Sequence, residues 1–212
     1  MKEKVYIIAG GNSVSDVNLQ KLQDGDVIAV NKSILDYPNA KYFITMDHSF
    51  LKKLDLKKRV LSGSPATKFF IANLVPEYME EKNGGFNDSR WNLQYNLRLF
   101  DVIIKSRAYE GFGRDWNDFR SGMNSGYCAI QLGIILGYKE IYLIGYDLMA
   151  HQQTHYHGGY GESLEAFNKK LEIYFASLKK AILDWKAQDT DTKLYNCSAM
   201  SRLDDLLQYR EI

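Results

Sequence analysis

Three of the four histidines in this chain lie within seven residues, at His151, His155 and His157. They follow a short apolar run at 140–145 (EIYLIG), which is typical of a strand buried on both faces of a parallel sheet. Ligands of open α/β sheets bind at the carboxyl ends of the strands, where this loop is expected. An imidazole with an ordinary pKa of about 6.5 can accept a proton from a hydroxyl group at neutral pH. We therefore predict catalytic roles for His155, His157 and Asp147, with only one of the two histidines required as the base.

The residues before this strand predict a helix that begins at the same edge of the sheet. Asn124 and Ser125 can cap the N-terminus of an apolar helix, and Gly137 stands where a left-handed residue would end it. A helix N-terminus presents N–H groups and a positive dipole end, which attract anionic groups. Asn124, Ser125 and Gly126 are therefore predicted to bind part of a ligand.

The chain opens with another strand, turn and helix pattern. An apolar strand at 4–9 is followed by two glycines and then by a helical pattern at 14–22. This geometry can direct backbone N–H groups at a phosphate, although the turn is neither a GxGxxG fingerprint nor a lysine-containing P-loop. The alternative is a tight connection whose glycines serve only the turn. The candidate phosphate-binding residues are Gly10, Gly11, Asn12 and Ser13.

Polar residues also follow the next two predicted strands, at 26–30 and 41–45. Asn31 comes directly after the first of these strands, and Asp47 lies two residues after the second. A single Asn or Asp at a strand end is more often the cap of a following helix. Since three consecutive strands end in polar residues at one presumed edge, we predict that Asn31 and Asp47 contact the ligand.

The middle of the chain is less regular. Segments 68–72 and 99–104 predict strands, and the segment 84–120 predicts a lid or an insertion. Arg120 lies in this segment and can bind a phosphate or a carboxylate through two hydrogen bonds. The alternative for Arg120 is surface solvation or a structural ion pair.

The remaining elements complete an α/β fold. Residues 161–186 carry apolar side chains at helical spacing, 193–197 predict a last strand, and 198–207 predict a short closing helix. Strands that alternate with helices predict a parallel sheet. We therefore predict a single Rossmann-like domain over residues 1–212, with three α/β/α layers around a mainly parallel sheet and an irregular middle segment.

The composition narrows the classes of function. The formal net charge of +1 gives no reason to expect nucleic acid or a membrane surface as a partner. No apolar stretch approaches the roughly 18 residues needed to cross a bilayer, and no apolar leader follows Met1. The two cysteines fit a reduced compartment better than a disulfide scaffold. These features predict a cytoplasmic protein without a transmembrane segment, and they leave a homo-oligomer open.

Four segments resemble a known group of enzymes: 5–14 (VYIIAGGNSV), 29–31 (AVN), 46–50 (MDHSF) and 125–147. They look like the strand ends and the serine-led helix of the small bacterial sialyltransferases that use CMP-sialic acid. A broader family shares the arrangement, including archaeal 6-hydroxymethylpterin diphosphokinases and uncharacterised bacterial and phage proteins. The uncharacterised proteins resemble this chain best, through NSG and H-aromatic-x-G motifs and the ending LYNCSAMSRLDDL. Segment 55–120 has no counterpart in the resemblance.

The resemblance implies a Rossmann-like variant of the GT-A glycosyltransferase fold and a metal-independent, inverting transfer with a histidine as general base. It places four residues on nucleotide-contacting positions, namely Ser13, Asn31, Asp47 and Ser125. Asp47 replaces an asparagine there, which puts cytidine specificity in question. The resemblance also places Tyr156 on a phosphate-contacting position. The base position falls on Gly159, which leaves His155 or His157 to substitute.

Four functions remain open at this stage. The leading hypothesis is a metal-independent glycosyltransferase. Its donor is a small-molecule nucleotide sugar of the CMP-sugar type, and its acceptor is a glycan. The second is Mg²⁺-dependent phosphoryl or diphosphoryl transfer from ATP or GTP, for which Asp47 and Asp147 are the available carboxylates. The third is a non-catalytic nucleotide-binding protein, in the host cytoplasm if phage-encoded. The fourth is a zinc site formed by the three clustered histidines with Asp147.

Overall fold

A computed structural model describes residues 2–47, 62–73, 99–106, 108–159, 161–188 and 190–212. Within these ranges the chain forms eight β-strands and two α-helices. The strands are β1 (Lys2–Ile8), β2 (Asp26–Val30), β3 (Tyr42–Thr45), β4 (Thr67–Asn73), β5 (Val102–Ser106), β6 (Tyr138–Ile144), β7 (Lys193–Asn196) and β8 (Gln208–Tyr209). The helices are α1 (Ser125–Ile135) and α2 (Leu164–Lys186).

The eight strands form one parallel sheet in the order β5-β4-β3-β2-β1-β6-β7-β8. The chain builds outward from β1 to β5 and then returns to the other side of β1, where β6 pairs in the register Val5↔Ile141. The strand order therefore reverses between β1 and β6, and a crevice at the carboxyl ends of these strands is the expected ligand site of such a sheet. The predicted α/β, Rossmann-like fold with a parallel sheet is confirmed.

Each central strand buries both of its faces, which explains the continuous apolar runs in the sequence. Val5 and Ile7 of β1 pack in one core with α1 and α2, whereas Tyr6 and Ile8 pack in a second core on the opposite face. Gly137, with a φ of +79°, follows α1 as predicted from the sequence. No helix in the described ranges combines the length and apolar character needed to span a bilayer.

Two predicted helices are wrong. The helical pattern at 14–22 forms two 3₁₀ helices, Asn12–Asp16 and Leu19–Lys21, because the backbone at Val17 is extended and Asn18 caps a new turn by accepting from Gln20 N. Residues 198–207 form turns rather than a helix. There Ser201 Oγ donates to the carbonyl oxygen of Tyr146 at 2.7 Å and accepts from Leu203 N, so tertiary contacts replace the helical pattern.

The predicted strands are confirmed with small shifts of their ends. The strand predicted at 99–104 begins only at Val102, since Asp101 precedes it and its carboxylate accepts from Lys68 N at 2.8 Å. The predicted lid or insertion at 84–120 falls partly outside the described residues. Of its described residues, 99–106 include strand β5, and the part from 108 onward packs beside α1, where Gly113 N donates to Gln131 Oε1 at 2.8 Å.

The packing of α2 gives a test of the fold with a matched control. Ile182 is 0% exposed in the core shared with α1, whereas Ile173 of the same helix is 59% exposed. Ile182→Ala should lower the free energy of unfolding by roughly 2–5 kcal/mol, because it leaves a cavity in packed surroundings. Ile173→Ala should change it by less than about 0.5 kcal/mol. Urea denaturation measures both, and equal losses would contradict the orientation of α2.

Candidate functional site

A cavity of about 140 Å³ opens at the carboxyl ends of β1, β2 and β6, where the strand order reverses. Three structural elements contribute its walls: the ends of these strands, the N-terminus of α1 and the beginning of α2. The loop that carries the clustered histidines closes one side. The lining residues are Ala9, Gly10, Gly11, Val30, Asn31, Asn124, Ser125, Gly126, Gly145, Tyr146, Leu148, Met149, Thr154, His155, His157, Phe167, Leu171 and Tyr174.

His155 and His157 lie side by side over Gly10. Their ring centroids are 5.0 Å apart with an interplanar angle of 16°, and Phe167 of α2 packs against His155 at 4.5 Å. A β-carbon built on Gly10 would lie 2.7 Å from His155 Cδ2 and 3.6 and 3.7 Å from the two Nε2 atoms. Only glycine permits this approach, and both Nε2 atoms converge on one point at the end of β1.

The environment of His155 keeps its imidazole neutral. Burial is the main reason that its pKa falls from 6.5 to about 4, and the positive charge of Lys32 acts in the same direction. The carboxylate of Glu162 opposes both effects. At neutral pH His155 therefore holds an acceptor nitrogen without a charge, which is the protonation state that a general base requires.

The turn at residues 10–13, which follows β1, is called the glycine turn. Asp147 lies beneath it and does not line the cavity. It is only 5% exposed, and its carboxylate accepts hydrogen bonds from Ser13 N at 2.9 Å and from Ser13 Oγ. Ser13 Oγ is in turn hydrogen-bonded to Ser198 Oγ at 2.9 Å. The observed contacts of Asp147 thus hold the turn in place, and its predicted catalytic role stays a prediction.

The glycine turn uses its N–H groups within the protein. Gly11 N donates to the carbonyl oxygen of Gly145 at 2.9 Å, and Ser13 N donates to Asp147. The side chain of Asn12 holds the histidine loop, since its Nδ2 donates to the carbonyl oxygen of Gln153 at 2.9 Å. Two of the N–H groups expected to face a phosphate are therefore occupied. Of the four candidates in the turn, Gly10 and Gly11 line the cavity, and Asn12 and Ser13 support it from outside.

Asn31 lines the cavity at the end of β2 and is hydrogen-bonded to the end of β3. Its side-chain oxygen accepts from Thr45 Oγ1 at 2.7 Å, and Thr45 Oγ1 also accepts from Asp47 N at 3.1 Å. Asp47 itself does not line the cavity. Asn31 has a φ of +53°, and the other described non-glycine residues with positive φ are Met123 and Leu148, at +60° and +56°. Backbone strain is thus concentrated around the cavity, as at many functional sites.

The N-terminus of α1 opens into the cavity as the sequence indicated. Asn124 caps the helix by accepting from Tyr127 N at 2.8 Å, and Ser125 Oγ accepts from Met46 N at 3.0 Å. Tyr146 OH donates to the carbonyl oxygen of Gly126 at 2.8 Å. All three predicted residues, Asn124, Ser125 and Gly126, line the cavity beside the positive end of the helix dipole.

Two of the predicted binding residues point elsewhere. Arg120 donates twice to the Asp118 carboxylate, at 2.9 Å each, and once to the carbonyl oxygen of Glu110 at 2.8 Å. It thus forms the structural ion pair that the sequence left as the alternative. Tyr156 OH donates to Asp36 at 2.7 Å and its ring packs against the second core, while its backbone N donates to Gly10 O at 3.3 Å. Neither side chain lines the cavity.

Sequence reasoning missed the apolar wall of the site. Phe167, Leu171 and Tyr174 of α2 line the cavity, whereas the sequence predicted only a helix for this segment. Their i, i+4, i+7 spacing places them on one face of the helix directly after the histidine loop, which was the available signal. Leu148 and Met149 extend the same apolar wall.

The structure does not bring the proposed zinc ligands together. No group of three His, Cys, Asp or Glu side chains among the described residues could hold a metal ion. His151 is exposed and lies 3.2 Å from Met149 Sδ, while the Asp147 oxygens are occupied by Ser13. The zinc alternative is therefore wrong for these residues. The phosphoryl-transfer alternative also lacks its carboxylate pair at the cavity, since neither Asp47 nor Asp147 lines it.

No known family model matches the chain, and no curated protein matches its sequence. Solved structures resemble its fold. The sialyltransferase CstII from Campylobacter jejuni in complex with cytidine-5'-monophosphate aligns with a TM-score of 0.52 at 18% identity, over 99% of this chain and 85% of that chain. CstII in complex with CMP-3FNeuAc aligns with a TM-score of 0.53 at 16% identity, over 99% and 86%.

At this identity the similarity shows a shared fold, so this protein has a sialyltransferase-like fold. Nothing in these matches supports the resemblance to pterin diphosphokinases.

The buried Asp147 carboxylate gives a stability test. Asp147→Ala should lower the free energy of unfolding by about 3 kcal/mol or more, because Ser13 N and Ser13 Oγ lose a buried charged acceptor. Asp205→Ala, at an exposed position, is the matched control and should change it by less than about 0.5 kcal/mol. Urea denaturation at pH 7 compares them. A loss as small as that of the control would show that Asp147 does not anchor the turn.

The low pKa of His155 predicts a pH-dependent stability. In the unfolded chain His155 takes up a proton near pH 6.5, whereas in the folded protein it does so only near pH 4. Its contribution to stability is thus complete above pH 6.5 and is lost as the pH falls towards 4. His155→Gln should flatten the decline of the unfolding free energy over this window, and His151→Gln should leave it unchanged. Identical slopes in all three proteins would contradict the partly buried, neutral state of His155.

Proposed function

We propose that this protein is a glycosyltransferase that transfers a sugar from a CMP-activated donor, with His155 or His157 as the general base. The observation that carries the proposal is the convergence of the two histidine Nε2 atoms over Gly10, at the carboxyl end of the central strand. A fold shared with CstII, whose structures hold CMP and CMP-3FNeuAc, supports the class of donor. A glycan hydroxyl is the proposed acceptor.

The proposed reaction is an inverting displacement. The acceptor hydroxyl gives its proton to an unprotonated Nε2 while its oxygen attacks the anomeric carbon of the donor. The bond from that carbon to the nucleotide phosphate breaks, and the bonding electron pair leaves with the phosphate. Negative charge then develops on the leaving group, next to the N-terminus of α1 at Asn124, Ser125 and Gly126. This terminus favours the charge through its dipole and N–H groups.

The size and chemistry of the cavity suggest how the donor is bound. Its volume of about 140 Å³ is smaller than that of a typical ligand pocket, which is roughly 300–1,000 Å³. We therefore expect it to enclose the reacting part of the donor, while the rest extends beyond it. The strand ends and α1 provide a polar side, and Phe167, Leu171 and Tyr174 provide an apolar side that can cover ring carbons.

A reaction without a metal ion agrees with the side chains at the cavity. The described lining residues include no carboxylate, whereas a bound Mg²⁺ is usually held by at least one. The neutral His155 and the helix N-terminus can instead supply the proton acceptor and the stabilisation of the phosphate. The phosphoryl-transfer and non-catalytic alternatives are outcomes of the experiment below.

Ligand binding and turnover test the proposal together. CMP should raise the melting temperature in the presence of EDTA, because a ligand that binds only the folded state stabilises it. With CMP-sialic acid and a glycan acceptor, His155→Ala or His157→Ala should lower kcat by about 100-fold or more. His151→Ala is the matched control, since His151 is exposed and does not line the cavity, and it should retain the wild-type rate.

Three other outcomes would count against the proposal, and two of them would identify another function. Stabilisation only by ATP or GTP with Mg²⁺ would favour phosphoryl transfer. Tight CMP binding without turnover of any CMP-sugar would favour a non-catalytic nucleotide-binding protein. Equal loss of activity in all three histidine variants would contradict a base at the cavity.

A further inference from the structure

Lys32 lies beside the cavity although it is not one of the lining residues. It directly follows Asn31, whose left-handed backbone turns the chain at the end of β2. Its ammonium Nζ donates to the carbonyl oxygen of Gly159 at 2.5 Å. Lys32 therefore connects the end of β2 to the segment 154–159, which we call the histidine turn.

Gly159 packs directly against the side chains of this turn. It has a φ of +68°, and a β-carbon built on it would lie 2.2 Å from Thr154 Oγ1 and 3.6 Å from His155 Nδ1. Thr154 and His155 both line the cavity. The Lys32 ammonium thus contacts the residue that supports the cavity wall.

The charged side chains near the cavity lie outside its lining. No lining residue in the described part of the chain carries a fixed charge. Among the described residues, Lys32 and Glu162 are charged groups that act on His155, His157 of the same turn packs beside it, and Tyr174 of α2 lines the same cavity. A cation at the edge would add to the stabilisation of an anionic ligand by the N-terminus of α1, and Lys32 is in contact with the histidine turn.

We propose that Lys32 binds the phosphate of an anionic ligand in this cavity and thereby couples ligand binding to the histidine turn. The proposal rests on the proposed function, because it assigns the phosphate contact of the same nucleotide site. A lysine ammonium is a compact charge on a flexible stem, and a phosphate, unlike the Gly159 carbonyl, adds a full opposite charge to its hydrogen bond. A phosphate nearby can therefore draw Lys32 from the Gly159 carbonyl or share it.

This contact has a consequence for His155. Burial and the Lys32 charge lower the pKa of His155 to about 4. A bound phosphate compensates the Lys32 charge and adds negative charge near the ring, and both changes raise this pKa. The imidazole then becomes a stronger base when the donor is present, so Lys32 both contacts the phosphate and affects proton transfer through its charge on His155.

Paired ligands separate a phosphate contact from a structural role. Isothermal titration calorimetry would compare CMP with cytidine, which lacks the phosphate, in the wild type, Lys32→Gln and Lys32→Arg. Lys32→Gln should weaken CMP binding by roughly tenfold or more while leaving cytidine binding unchanged. Lys32→Arg should retain most of the CMP affinity. Lys169→Gln is the matched control, because Lys169 is 76% exposed on α2, and it should bind both ligands like the wild type.

The protonation of His155 gives a readout that a merely structural lysine would not move. NMR titration, with the signal assigned through His155→Gln, should show a higher pKa in Lys32→Gln than in the wild type without ligand. Saturating pyrophosphate should raise the pKa in the wild type and raise it less in Lys32→Gln. Unchanged titration in Lys32→Gln, or equal losses of CMP and cytidine affinity, would overturn the proposal.

Failure of the proposal and failure of the proposed function remain distinguishable. If pyrophosphate binds in a Lys32-dependent manner and CMP does not bind, the phosphate contact holds and the CMP-dependent function is wrong. If CMP binds equally to wild type and Lys32→Gln, and both turn over CMP-sialic acid at the same rate, the function holds and the Lys32 assignment is wrong. If neither pyrophosphate nor CMP binds to the wild type, both are wrong.

Discussion

The site depends on one buried network, in which the Asp147 carboxylate holds Ser13 and Ser13 contacts Ser198. These residues follow β6, β1 and β7, so the network joins the carboxyl ends of three adjacent strands. Ser198 Oγ also accepts from Gly145 N at 3.1 Å. A carboxylate can be buried only if its oxygens are hydrogen-bonded, which Ser13 achieves through both its N–H and its hydroxyl group. Gly11 is required above it, since a β-carbon would lie 2.6 Å from Asp147 Cγ.

This network fixes the position of the glycine turn, and one backbone and two side-chain hydrogen bonds hold the histidine turn and the preceding Gln153 in place. Tyr156 N donates to Gly10 O, Asn12 Nδ2 donates to Gln153 O, and Lys32 donates to Gly159 O. Since each contact joins residues far apart in the sequence, the histidine rings owe their position to the folded sheet. The proposed chemistry needs this rigidity, because a base misplaced by 1 Å can lose most of its effect.

The polarity of the site follows from the same arrangement of strand ends and turns. Its lining is neutral in the described residues, with charged groups such as Lys32 and Glu162 outside it. Electrostatic interactions are stronger in such a partly desolvated space than in water, which gives the helix N-terminus and a nearby lysine a larger effect on a phosphate. The same desolvation, together with the Lys32 charge, lowers the pKa of His155 and keeps its imidazole neutral.

Much of the fold and part of the site could be predicted from local sequence patterns. The apolar runs of β1, β2 and β6 predicted a parallel sheet because only strands buried on both faces are apolar throughout. Polar residues at the ends of these strands and at the start of α1 predicted the edge at which the cavity lies, since parallel strands end together. Asn31, Asn124, Ser125 and both candidate base histidines were located in this way.

Only the tertiary structure decided which polar side chains face the cavity. Asp147 turns inward to Ser13, Tyr156 turns outward to Asp36, and Arg120 pairs with Asp118. Side-chain direction in a loop depends on individual backbone angles, such as the φ of +73° at Gly145, and on partners distant in the sequence. The periodicity of apolar residues in the sequence predicts neither these backbone angles nor these distant partners. The sequence therefore determined where the site is, and long-range packing determined which groups form it.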